Sequence, residues 1–130
     1  MHNIPDMRLV FAWIGTLLGE FIGEIDSLIY ALAIFMIVDY LTGVLCGLVN
    51  GRLSSGIGFK GICRKVMILC LVGMANVLDQ YILQTGSVLR TTVIFFYLSN
   101  EGISIIENTA TIGVPIPDKL QNILKQLKEH

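Results

Sequence analysis

The sequence predicts an all-α protein that crosses a membrane several times, and three observations support this fold class. Hydrophobic residues make up 54% of the 130 residues and charged residues only 15%, whereas a soluble domain carries about 25% charged residues on average. The apolar residues form runs of about 20 residues, which is the length that a helix needs to cross about 30 Å of hydrocarbon. Basic residues are also concentrated in one loop and in the tail, a bias typical of the cytoplasmic side of membrane proteins.

Three firm transmembrane helices are expected within a membrane domain that covers residues 1–112. They lie at about 28–49, 62–83 and 88–107. A shorter apolar stretch at about 9–25 follows Arg8 and contains Glu20. It is too short between these charges to span unaided, so it either crosses as a short helix or lies in the membrane interface.

The charges of the loops predict the orientation. The loop at 50–65 carries four basic residues and no acid: Arg52, Lys60, Arg64 and Lys65. The segment 20–27 carries three acids and no base. We therefore expect the basic loop and the C-terminus to be cytoplasmic. The side on which the N-terminus lies depends on whether 9–25 crosses.

Residues 113–130 are predicted to form a cytoplasmic tail. The prolines of GVPIP at 113–117 stop the last span, and Asp118 is placed to cap a new helix. Apolar residues then follow at amphipathic spacing: Leu120, Ile123, Leu124 and Leu127. This helix is expected to lie on the inner leaflet or to pack on a partner. A solvated, partly frayed tail is the alternative.

Asp39 lies within the first long span, where an acid is costly. An Asp at the centre of a membrane helix costs about 2.5–3.5 kcal/mol, so it should face a partner or water. Asp39 shares one helical face with Gly43 and Gly47, whose small-xxx-small spacing allows close helix packing. This face is either a seam within one chain, or it joins subunits or lines a pore. Gly15 and Gly19 form a second such ladder.

Further polar residues fall on the predicted spans and are candidates to line a pore: Asn76, Asn100, Glu101, Ser104 and Glu107. The available cations, Arg64, Lys65 and Arg90, are placed near span ends, so we expect few internal partners for the acids. That imbalance favours self-association, protonated carboxyls or water between helices.

The sequence offers little for catalysis. The two histidines, His2 and His130, stand at the chain ends, and the glycine-rich stretch at 51–61 lacks the order of a phosphate-binding loop. Its glycines are expected to serve turns and close packing. We expect no enzyme activity, no cofactor and no metal. The net charge of −1 argues against nucleic acid as a partner.

Three stretches resemble the bacteriophage holin family, which includes holins linked to clostridial toxin secretion. The most specific are DYLTG at 39–43, SSGIGFKGICRK at 54–65, and NEGISIIEN with GVPIP at 100–108 and 113–117. The resemblance covers roughly residues 10–127. It implies a small protein that forms homo-oligomers in the lipid of the bacterial inner membrane. The protein would open lesions that release an endolysin or a toxin without necessary direct contact. The family supplies no catalytic residues. The rival expectations are a small ion or metabolite channel or transporter subunit, and a membrane scaffold without a pore.

Overall fold

The computed structural model describes Ile4 and residues 6–128, and within them the chain is all-helical. The helices are α1 (Met7–Ile22), α2 (Ser27–Val49), α3 (Ser55–Val77), α4 (Val88–Ile112) and α5 (Asp118–Lys128). A π-helical segment, Leu78–Leu83, continues α3. The histidines at positions 2 and 130 lie outside the described residues. The all-α prediction is thus confirmed for the part of the chain that the structure describes.

Helix α1 ends earlier than the sequence predicted, because a tight turn separates it from α2. Gly23 terminates α1 with φ +93°, a backbone conformation that suits glycine. Asp26 then caps α2 by accepting a hydrogen bond from the Ile29 N–H at 3.0 Å. The predicted stretch 9–25 therefore combines a helix with the turn that follows it.

Helix α3 begins at Ser55, well before the predicted start at residue 62. The Ser54 hydroxyl accepts from the Ile57 N–H at 3.2 Å and caps the helix. The predicted basic loop is therefore a short turn that carries Arg52, followed by a helix that carries the other three basic residues. Its glycines lie inside this helix, except Gly51, and two of them allow α2 to approach: a Cβ on Gly58 would lie 3.1 Å from the Tyr40 hydroxyl.

Helix α4 is the centre of the bundle, with contacts to α2, α3 and α5. It extends to Ile112, beyond the predicted end at 107. The core lies where α2, α3 and α4 meet, and its buried residues are Ile29, Leu32, Met36, Ile68, Val72, Ile94 and Leu98. Helix α1 packs on α3.

Two helices of the described chain are long and apolar enough to cross a membrane, Ser27–Val49 and the continuous Ser55–Leu83. The third expected span, now α4, does not meet that criterion. Its position explains this, because neighbouring helices cover it and its exposed large apolar side chains are few: Val88, Phe96 and Ile112.

The tail helix α5 folds back along α4. Leu124 is buried, and the Ser99 hydroxyl donates to its carbonyl at 3.1 Å. Asp118 is the first residue of α5, not its cap as predicted. The tail thus packs on its own bundle, an arrangement that the sequence analysis did not foresee.

Candidate polar site

Lys65 joins two acids from two other helices. Its ammonium Nζ lies 2.7 Å from Asp39 Oδ2 on α2 and 2.9 Å from Glu101 Oε2 on α4. Lys65 can reach both because α3 begins at Ser55, so a rise of about 1.5 Å per residue places it roughly 15 Å along the helix. The expectation that these acids have few partners within the chain was wrong.

The three charged groups, which we call the triad, are largely withdrawn from solvent. The side chains of Asp39, Lys65 and Glu101 are 14%, 17% and 7% exposed. Charges in a medium of low dielectric constant are costly unless they are paired and hydrogen-bonded. With two carboxylates and one ammonium, the triad would carry a net charge of −1 when all three groups are ionised. The triad therefore ties α2, α3 and α4 together but leaves one acid without a cation of its own.

Asn108 extends this polar layer between α2 and α4. Its side-chain amide donates to Thr42 Oγ1 at 3.0 Å and to Asp39 Oδ1 at 3.3 Å. The Cys46 thiol donates back to the Asn108 carbonyl at 3.0 Å. A Cβ on Gly43 would lie 3.8 Å from the Asn108 amide nitrogen. The small polar face of α2 is therefore a seam within the chain.

A cavity of about 610 Å³ lies beside the triad. Its polar and charged lining includes Asp39, Arg64, Lys65, Asn100, Glu101 and Ser104. A polar cavity of this size has room and partners for water. The structure thus combines charged groups and space for water where α2, α3 and α4 meet.

The other residues predicted for pores and packing lie elsewhere. The space beside Gly15 and Gly19 is open, because a Cβ added to either glycine would have no packing neighbour within 4 Å. A Cβ added to Gly47 would lie 3.3 Å from Leu53. Glu107 is exposed on α4, as are Arg52 and Lys60 on the basic segment. These residues do not join the triad.

Asn76 is 4% exposed and holds α1 in place. Its side-chain amide donates to the carbonyls of Glu20 and Phe21 at 3.2 and 3.0 Å. This contact secures the last turn of α1 against α3. The structure therefore gives Asn76 a packing role within the chain.

A second polar cluster, missed by the sequence analysis, lies at the end of the bundle where α2 and α4 begin. Arg90 is 3% exposed and donates to the carbonyls of Ile22 and Glu24, both at 2.7 Å, and to Asp26 Oδ2 at 2.9 Å. Asp79 is buried and accepts from the Arg90 N–H at 2.7 Å. Arg90 thereby fastens the turn between α1 and α2 to the start of α4.

The environment of Asp26 favours its ionised form. Burial opposes ionisation, but the Ile29 N–H and the Arg90 guanidinium together hold the pKa of Asp26 below its usual range. The signal in the sequence was the acidic segment 20–27 itself, which needs a cation. Only the fold brings Arg90 to it.

The sequence of the chain matches a known protein family. The profile described as "Bacteriophage holin family" matches residues 16–129. The chain is 38% identical over 95 residues to a probable holin of Bacillus phage phi105, covering 73% of this chain and 69% of that protein.

Uncharacterised bacterial proteins are also similar. One from Clostridium perfringens is 42% identical over 121 residues, covering 93% of this chain and 90% of its own. One from Listeria monocytogenes is 44% identical over 110 residues, covering 85% of this chain and 78% of its own. No solved structure matches.

Proposed function

Because the chain belongs to the bacteriophage holin family, we propose that it oligomerises in the bacterial cytoplasmic membrane and opens lesions there. A wall-degrading endolysin or a toxin leaves through the lesion and needs no direct contact with the chain. The observation that carries the proposal is the triad, a charged and hydratable layer inside a bundle with two apolar spans.

The lesion forms between copies of the chain. The cavity beside the triad has a volume of about 610 Å³, whereas a folded domain of 100 residues has a radius of gyration of about 13 Å. A single bundle is therefore too small to pass an enzyme. Several chains must surround the opening.

In the proposed topology, α2, α3 and α4 cross the membrane and the turn with Arg52 is cytoplasmic. Three basic residues keep this turn on the cytoplasmic side: Arg52 in the turn itself, and Lys60 and Arg64 in α3. Gly43 and Gly47 already have neighbours in their own chain, whereas the space beside Gly15 and Gly19 is open. This supports α1 as the helix through which copies meet.

Induced expression in bacteria tests the proposal. Membrane potential and release of a cytoplasmic reporter enzyme are followed together. A copy of the gene with an early stop codon is the control. We expect the potential to collapse and the reporter to escape after the protein accumulates. Cells that keep their potential and their reporter while the chain is present in the membrane fraction would contradict the proposal.

A small channel or transporter subunit is the second candidate, and the polar cavity within one chain favours it. Such a protein would give a selective conductance without loss of viability. Reporter release separates the two functions, because no selective ion pathway passes a folded enzyme.

A further inference from the structure

Helix α5 lies beside the C-terminal half of α4, not beyond its end. Leu124 packs on Gly102, where its Cδ2 would lie 2.7 Å from an added Cβ. With a rise of about 1.5 Å per residue, Gly102 is roughly 15 Å from Ile112, the last residue of α4. The tail helix therefore lies at the level of the middle of α4.

A different side of the bundle, formed by α2, is apolar at the same level. Phe35 of α2 also approaches Gly102, at 3.2 Å from the added Cβ, and the Cys46 thiol donates a hydrogen bond to the Asn108 carbonyl. Helices α2 and α4 are therefore in contact along this stretch. The α2 side chains Ile37, Leu41 and Leu45 are more than half exposed along this stretch. That outer surface suits lipid.

The outer surface of α5 suits water. Its exposed polar residues are Asp118, Lys119, Asn122, Lys125 and Gln126. A Lys in the centre of the hydrocarbon costs about 2.5–3.5 kcal/mol on insertion scales. At one depth, the bundle thus presents an apolar side on α2 and a charged side on α5.

We propose that α5 lines the aqueous opening of the assembled lesion, with its charged surface toward the water and Leu124 seated on α4. This inference rests on the proposed function and names the surface by which each copy faces the opening. Copies would turn α5 toward a common centre and leave the apolar side of α2 to lipid. Charged side chains that line an opening influence which ions pass.

The test measures ion selectivity of the full-length chain in planar lipid bilayers under a KCl gradient. Lys119→Gln combined with Lys125→Gln removes two positive charges from α5. Lys119→Arg combined with Lys125→Arg keeps both positive charges at the same two positions and is the matched control. We expect the first pair to shift the permeability ratio toward cations and the control pair to leave it unchanged. Asn122→Lys, which adds a charge on the same surface, should shift the ratio toward anions.

The outcomes separate this inference from the proposed function. Conductance whose permeability ratio is unchanged in the two variants that alter the charge of α5 would overturn the lining role and leave the holin function standing. Equal shifts of the ratio in the control would do the same. An unmodified chain that never conducts, at any loading, would instead overturn the proposed function. A helix that leaves α4 and lies on the leaflet surface would give the first of these results.

Discussion

The ammonium of Lys65 lies 2.7 Å from the carboxylate of Asp39, although 26 residues separate them in the sequence. This pair, with Glu101 on the other side of the same ammonium, ties the three central helices to one another. An acid in the apolar part of α2 is thus stabilised by a base that enters from a neighbouring helix.

Replacing Lys65 with Met should destabilise the chain strongly. The change leaves Asp39 and Glu101 together without a cation, and breaking a buried pair in this way costs about 3–5 kcal/mol. Thermal unfolding in detergent measures the effect. Lys60→Met, at an exposed position of the same helix, is the control. Adding Asp39→Asn and Glu101→Gln to Lys65→Met should restore part of the lost stability, and no recovery would argue against the triad.

Replacing Leu124 with Ala should loosen α5 from α4. Leu124 is 6% exposed, and truncating a buried leucine costs about 2–5 kcal/mol. Faster hydrogen exchange in residues 118–128, with little change in α2, would report a local loss. Ile123→Ala, at a neighbouring side chain that is 45% exposed, should change exchange much less. Equal effects of the two variants would contradict the docking of α5.

Adding a methyl group at Gly73 should loosen α1. A Cβ at Gly73 would overlap the ring of Phe21, so Gly73→Ala displaces this ring and weakens the packing of α1 on α3. Trp13 is the only tryptophan in the sequence and lies on α1, so its fluorescence anisotropy should fall as α1 gains motion. Gly56→Ala, at a position with open space, serves as the comparison and should leave the anisotropy unchanged.

The Asp26–Arg90 contact should make stability depend on pH in the acidic range. Because the folded-state pKa of Asp26 is lowered, its contribution is complete above the unfolded value of about 3.9. It is lost as the pH falls through the lower folded-state value. Asp26→Asn should therefore reduce the dependence of unfolding on pH in this window. Glu24→Gln, an exposed acid in the same turn, should preserve it; identical profiles for Asp26→Asn and the unmodified chain would exclude this linkage.

Much of the fold could be predicted from hydrophobic runs, but the triad could not. The stretch from Ser54 to Gly61 reads as a loop because glycine weakens a helix by about 1 kcal/mol relative to alanine. In the fold, Gly58 and Gly61 are favoured instead because Tyr40 packs against them. Helix α3 can therefore begin early, at Ser55. This early start places Lys65 where its ammonium contacts Asp39 and Glu101.

The tail shows the same division between local pattern and tertiary context. The spacing of Leu120, Ile123 and Leu124 predicted an amphipathic helix, and α5 is one. Its position on α4 depends on Ser99 and Gly102, two small residues that the sequence analysis did not single out. Arg90 was missed for a related reason: its three acceptors in the turn between α1 and α2 come from a distant part of the chain.

The central position of α4 has a consequence for recognising proteins of this architecture. Hydropathy scans reward segments that meet lipid on all sides, yet α4 contacts α2, α3 and α5 and is not one of the two helices that pass as apolar spans. If α4 crosses the membrane as in the proposed topology, a genome survey that counts only strongly apolar segments would omit this crossing. It would then place one of the two termini on the wrong side of the membrane.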